Sequence, residues 1–190
     1  MNFILRNEGN LIMIKFRFFE RSDFQQLINW IETPEFLLQW AGPKFNFPLT
    51  EQQLETYLKD ANNASSSVLV YSVIELETGN VIGHISLGNI DRNNKSARVG
   101  KVLVGDKNVR GKGIGLMMMK EILNIAFEEL KLRRVSLGVF DFNAPAIACY
   151  EKVGFKKERL LRDSRKIGDE YWSLWEMSIL ENEWKAINFG

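Results

Sequence analysis

The chain is poor in several residue types that would decide its chemistry early. It has one cysteine and one histidine among 190 residues. Cys149 alone makes no internal disulfide, and it excludes zinc sites of four cysteines or of two cysteines and two histidines. His84 alone leaves a Ser-His-Asp triad one base to choose from. No stretch approaches the roughly 20 apolar residues that a membrane-crossing helix needs. Charge of either sign is not in excess: 25 Lys and Arg face 24 Asp and Glu. That balance argues against a protein held to nucleic acid by bulk electrostatics. Four prolines mark no linker, and there is no repeat or low-complexity tract. The start, Met1 to Glu8, turns polar too early for a secretory signal. The expectation is a cytoplasmic protein without metal, membrane or nucleic acid as partner.

What is present suits one ordinary domain over residues 1–190, with 45% hydrophobic and 26% charged residues. Met13 is a second plausible start, so residues 1–12 are expected to be a weakly ordered extension. Leu11 to Phe19 reads as a strand. Ser22 with Gln25 has the spacing of a capping box, ahead of Phe24, Leu27, Ile28 and Ile31 at helical intervals. Thr50 with Gln53 repeats the signature before Leu54, Tyr57, Leu58 and Ala61. Two short helices are therefore expected in the first third. Strands follow at Val68–Ile74, Val81–Leu87 and Ala97–Val104, separated by polar turns. After them come a glycine-rich loop, a long helix from about Gly113 to Leu130, and a strand at Arg134–Phe140. A helix at Ala144–Val153 stops at Gly154, and two last strands cover Lys156–Arg165 and Tyr171–Ile179. A strand–helix–strand crossover among hairpins predicts a mixed α/β (α+β) sheet, mostly antiparallel, with one parallel pair.

The segment Val102-Leu103-Val104-Gly105-Asp106-Lys107-Asn108-Val109-Arg110-Gly111-Lys112-Gly113-Ile114-Gly115 carries the most chemistry. Small residues between a strand and a helix let backbone N–H groups come close to an anion. The helix N-terminus adds partial positive charge, and Arg110 and Lys112 add whole ones. No acidic residue occupies the first helical turn. The loop is arranged for phosphate, against the alternative of a purely structural glycine turn. It is not a Walker A loop, because Gly105 is one residue too far from Gly111-Lys112 and Gly113 replaces the hydroxyl that would hold magnesium. Nor is it the dinucleotide fingerprint, since Leu116 stands where the third glycine belongs.

Arg110-x-x-Gly113-x-Gly115 resembles the Q/R-x-x-G-x-G/A signature of the GNAT superfamily of acyl-CoA-dependent N-acetyltransferases. Further on, Asn143-Ala144-Pro145-Ala146-Ile147-Ala148-Cys149-Tyr150-Glu151-Lys152-Val153-Gly154-Phe155 is similar to the family's N-x-x-A-x-x-x-Y-x-x-x-G-F segment. Each residue of the second motif has a structural reading too: Asn143 as N-cap, Gly154 as C-cap, Tyr150 as a core aromatic. The two motifs in order, separated by one helix and one strand, make the resemblance specific over roughly Val68 to Glu176. Within the family the chain looks most like the subgroup that acetylates ribosomal-protein N-termini and small amines. The resemblance implies a central sheet of about seven strands with helices on both faces and the parallel pair around the cofactor site. It implies acetyl-CoA as cosubstrate, its pyrophosphate on the amides of Arg110, Gly111, Lys112, Gly113, Ile114 and Gly115. Val102, Leu103 and Val104 would bond the pantetheine arm, with Asn143 nearby. It further implies direct attack by the amine on the thioester. Homodimers are common in the resembling family.

The residues suit that chemistry. A tyrosine of pKa about 10 can protonate a leaving thiolate of pKa about 8.5 when positioned beside it, and the resemblance makes Tyr150 that acid. A backbone N–H at Leu103 or Val104 would polarise the acetyl oxygen. For the base, Asp141 at the end of its strand is the first candidate, with Glu20 and His84 behind it. His84 alternates with Ile82 and Ser86 and reads more readily as structural. Cys149 and Met117, Met118 and Met119 read as core. Trp30, Trp40, Phe45, Phe47, Trp172 and Trp175, with Glu32, Glu35 or Glu170, are candidates for an acceptor pocket. The acceptor amine itself stays open. A CoA-binding regulatory module that senses acyl-CoA without turnover is the rival reading, and a nucleotide hydrolase is disfavoured.

Overall fold

The computed structural model describes the backbone for residues 3–7 and 10–189, and side chains for residues 12–188. Eight strands form one sheet: β1 (Phe3–Asn7), β2 (Asn10–Phe18), β3 (Leu69–Glu75), β4 (Val81–Asp91), β5 (Ser96–Val104), β6 (Arg134–Phe140), β7 (Lys156–Ile167) and β8 (Glu170–Leu180). Their spatial order is β1-β2-β3-β4-β5-β6-β8-β7, and only β5 and β6 run parallel. The mixed, mostly antiparallel sheet with one parallel pair is as the crossover predicts. The seven strands read from the sequence gain β1, within the stretch expected to be an extension, as an antiparallel edge on β2.

One face carries three short helices rather than the expected two: α1 (Phe24–Trp30), α2 (Pro34–Ala41) and α3 (Glu51–Leu58). Their apolar sides, including Phe24, Leu27, Leu37, Trp40 and Leu54, pack with Val70 and Leu103 of the sheet. Helix α2 follows a clear local signal, Thr33 accepting from the Phe36 N–H with Pro34 next in the chain. The first capping box lies elsewhere than expected. Asp23, not Gln25, reaches back, accepting from the Glu20 N–H at 3.1 Å, and Ser22 sits inside a 3₁₀ turn. Asp23 is chosen because it is also buried, tied to Arg17 at 2.7 Å and to the Ser72 hydroxyl at 2.6 Å. Thr50 caps α3 as expected, accepting from the Gln53 N–H.

The other face carries α4 (Ile114–Asn124), extended by a π turn at Ile125–Glu129, and α5 (Ala144–Val153). Met117, Met118 and Met119 are all buried there with Val73, Ile82 and Val135, filling core as read from the sequence. α5 has the expected ends: Asn143 accepts from the Ala146 N–H, and Gly154 closes the helix at φ 107°, a conformation that favours glycine. A last helix, α6 (Glu181–Phe189), had no place in the sequence reading. It sets Trp184 against Phe127, ring centroids 5.6 Å apart. Among the described residues no helix is long and apolar enough to cross a membrane.

Candidate active site

The parallel pair is short. β5 and β6 pair only at Ser96–Arg134, Ala97–Val135 and Arg98–Ser136, and beyond that they separate. Arg98 stands at the fork. Its guanidinium binds the Glu176 carboxylate of β8 through two hydrogen bonds of 2.7 and 2.9 Å. The side chain passes over Gly138, where a Cβ would lie 2.5 Å from Arg98 Nη2. A planar fork fixed at both oxygens pins β5 to the far side of β6 and holds the base of the opening.

The divergence opens a cleft of about 530 Å³, counting its mouth. Val99 to Leu103 of β5 line one wall and Leu137 to Phe140 of β6 the other, with Phe36, Gln39 and Trp40 of α2, Asn143 and Tyr150 closing the ends. Exposing strand backbone in a cleft leaves N–H and C=O groups free for an extended ligand, a geometry that two continuously paired strands do not offer.

β5 changes phase inside the cleft. His84 pairs with Leu103 while Ser86 pairs with Gly100, so β5 carries one residue more than β4 across this stretch. Lys101 within that bulge has φ 51°, unusual for a side chain without local hydrogen bonds. As a result Ala97 and Val99 pack with the α4 cluster, whereas Leu103 packs with α1 to α3. The bulge also swings Lys101 toward the helices, its Nζ 4.7 Å from the Tyr57 ring centroid. Gly83 makes room for it: a Cβ there would lie 2.6 Å from the Leu103 carbonyl oxygen.

The glycine loop follows β5. Gly111 and Gly113 have φ of 76° and 80°, and nothing stands where their side chains would project. Gly113 precedes α4 with no side chain capping the helix, so the first-turn N–H groups have no intrahelical partner. Exposed Lys112 adds charge beside them. Such a loop has the chemistry to receive an anion. The Arg110 side chain folds back, donating to the Val104 and Gly105 carbonyls at 3.0 and 3.3 Å. It braces the loop against the strand end.

Of the residues singled out from the sequence, Val102, Leu103, Asn143 and Tyr150 meet in the cleft. Val104 and Arg110 to Gly115 form the loop beyond its lining. Asp141 is exposed at the end of β6, its N–H bonded to the Ser173 carbonyl, and it does not line the cleft. Tyr150 is 9% exposed, and its burial, with Cys149 beside it, raises the phenol pKa and keeps it a proton donor. Cys149 packs half-buried with its thiol facing Gly115, its pKa raised by the same burial, which disfavours a nucleophilic thiolate. Of the acceptor candidates only Trp40 lines the cleft. Trp30 covers Gly105, Trp172 packs on Phe140 and Phe142, and Glu32 pairs with Lys107. His84 does not share a setting with Ile82: it is buried against Phe19, Trp40 and Tyr57. Lys101, Gln39 and Phe36 were not foreseen. The bulge that delivers Lys101 has no local signature, although the Thr33-Pro34 cap announced the helix that carries the other two. Among the described residues no cluster of His, Cys, Asp and Glu is placed to hold a metal.

A parallel pair that splays over a cleft, followed by an uncapped glycine loop, is the arrangement that the resemblance to acyl-CoA-dependent transferases implies. Residues 14–156 match the family model of the acetyltransferase (GNAT) domain. The chain belongs to the GNAT acetyltransferase family, whose cosubstrate is acetyl-CoA. It is 28% identical over 174 residues to "Putative ribosomal N-acetyltransferase YdaF" of Bacillus subtilis, covering 91% of this chain and 94% of that one. An aminoglycoside N(6')-acetyltransferase type 1 of Klebsiella pneumoniae is 25% identical over 164 residues, 82% and 79% of the two chains. The crystal structure of spermidine N-acetyltransferase from Vibrio cholerae in complex with CoA and spermine superposes with a TM-score of 0.76 at 23% identity, over 90% and 97% of the two chains. That likeness concerns the fold.

Proposed function

We propose that this chain transfers the acetyl group of acetyl-CoA to a primary amine by direct attack, with Tyr150 as general acid. The observation that carries the reading is the convergence of Tyr150, Asn143 and the β5 residues Val102 and Leu103 on one cleft. The anion cradle at Gly111 to Gly115 lies at the end of the same strand. Backbone N–H and C=O groups of β5 hold the pantetheine arm as an added strand would be held. A β5 N–H at Leu103 or Val104 polarises the acetyl oxygen, where charge develops as the amine nitrogen bonds to the carbonyl carbon. As the C–S bond breaks, Tyr150 gives its proton to the sulfur and regains one from solvent. The attacking amine must arrive neutral, and its surplus proton leaves to water. Asp141, the first candidate for a base, stands exposed at the end of β6 outside the cleft lining, and a base role for it would run through water.

The test is amine-dependent thiol release from acetyl-CoA. Tyr150→Phe is expected to lower kcat by about 10²- to 10⁴-fold with CoA affinity little changed, the range of a positioned proton donor. Unaltered kcat would remove Tyr150 from the mechanism. Gly113→Glu, which places bulk and negative charge in the cradle, is expected to abolish CoA binding by calorimetry. Retained binding would move the pyrophosphate elsewhere.

A further inference from the structure

The acceptor side of the cleft holds buried polar nitrogens without hydrogen-bond partners among the described residues. Trp40 Nε1 is buried without a partner among the described residues, and so are both ring nitrogens of His84. The two residues are 7% and 1% exposed, their rings 5.5 Å apart. Buried polar atoms of native proteins are nearly always paired, and unpaired ones gather where a ligand or water completes them. Lys101 stands beside them, Nζ over the rings of Tyr57 and Phe45, with no ion pair to any described carboxylate. Indole and ammonium groups donate and cannot accept.

Trp40 and Lys101 both line the cleft. Lys101 is the one charged side chain in that lining, and no Asp or Glu joins it. The bulge in β5 is what turns this cation toward the acceptor side. Burial and the neighbouring charge of Lys44 draw the Lys101 pKa down to about 8, so an anion arriving there relieves an existing cost. A polycation arriving there adds to it.

We propose that the pit formed by Lys101 and Trp40, with His84 packed against the indole, receives a carboxylate of the acceptor, which makes the substrates amines that carry a carboxylate rather than polyamines. This rests on the reading of the cleft as the acetyl-transfer site. The lack of Asp and Glu in the cleft lining points the same way. An alkylamine of pKa about 10.4 is roughly 0.1% neutral at pH 7.5, against about a third for a peptide α-amine of pKa about 7.7–8.0. A site without a base favours the second by roughly two hundredfold before any contact is made.

The experiment compares alanyl-alanine and alanyl-alanyl-alanine with their C-terminal amides and with spermidine, as acceptors in the thiol-release assay. The corresponding N-acetylated peptides and amides are titrated calorimetrically into CoA-saturated protein. The acids are expected to exceed the amides by about ten- to a hundredfold in kcat/KM, mostly through KM, the scale of a hydrogen bond to a charged group. Lys101→Met should bring the acids down to the level of the amides, and Lys101→Arg should restore part of the difference. Trp40→Phe, which removes the N–H donor together with part of the ring, should shrink it. Equal use of acid and amide overturns the proposal. So does preference for spermidine, or equal binding (including none) of acetylated acid and amide to protein that binds CoA. Failure to bind CoA at all refutes the proposed function instead. The comparison of acids with amides needs only the wild type, so it stands even where a variant does not fold.

Discussion

Replacing His84 by phenylalanine tests how the core above the cleft is built. The imidazole is 1% exposed, packed edge-on to Phe19 at 4.6 Å and to Trp40 at 5.5 Å, with the Tyr57 ring 6.1 Å away. The groups around it are unsuited to an imidazolium: Lys101 is a cation, and the buried Asp23 carboxylate is already taken by Arg17 and Ser72. Burial, with Lys101 second, lowers the His84 pKa from 6.5 to about 3. The unfolded chain therefore takes up this proton before the folded protein does. Stability from this site is intact above about pH 6.5 and drains as the pH falls toward 3. At about 1.4 kcal/mol per pKa unit the whole span sets a ceiling of about 5 kcal/mol, of which about 2 kcal/mol falls between pH 7 and pH 5. Phenylalanine is larger than histidine, adds no charge and leaves no unpaired ring nitrogen, so an overpacking loss of about 1–3 kcal/mol is expected at pH 7 while the pH dependence of the site is removed. Urea unfolding of both proteins at pH 7 and pH 5 gives the answer. The wild type should lose about 2 kcal/mol more than His84→Phe, with the surrounding carboxylates cancelling between the two. Parallel losses would show that His84 already has a hydrogen-bonded partner or a route to solvent, and the account of the pit would fall with it.

Two further outcomes follow from particular contacts. Gly138→Ala should push the Arg98 guanidinium off its path to Glu176, since the new methyl would lie 2.5 Å from Nη2. Weakened acetyl-CoA binding and a loss on the order of 2 kcal/mol are expected, and an unchanged Kd would show that the fork does not set the cleft width. Glu158 is held at a pKa of about 2 by hydrogen bonds from Arg134 and then Ser178. Its contribution is complete above the unfolded carboxylate range near pH 4.5 and is lost as the pH falls toward 2. Because the pair is 39% and 43% exposed, that contribution should be about 1 kcal/mol or less. Thermal melts from pH 5 to 2.5 should show a flatter acid limb in Glu158→Gln, and identical slopes would leave the pair without weight.

Sequence alone determined what depends on residues near one another in the chain. The bounds of α5 follow from an Asn143 cap and a Gly154 that adopts φ 107°, and both are local chemistry. The anion cradle follows from two glycines and a helix start without a capping side chain, again within a few residues. The three consecutive methionines of α4 read as core from their apolar, adaptable side chains on a long helix. Tertiary structure decided everything that depends on register between strands far apart. Whether β5 and β6 stay paired is settled by Arg98 reaching Glu176, 78 residues away, across a glycine on a third segment. The extra residue in β5 flips the phase of one strand, and it alone puts Lys101 rather than an apolar side chain on the acceptor side. Asp141 carries the right group for a base, but the strand end on which it stands points it to solvent. A side chain's type is written in the sequence; which cleft it enters is set by long-range pairing, where one residue of slip reverses every direction.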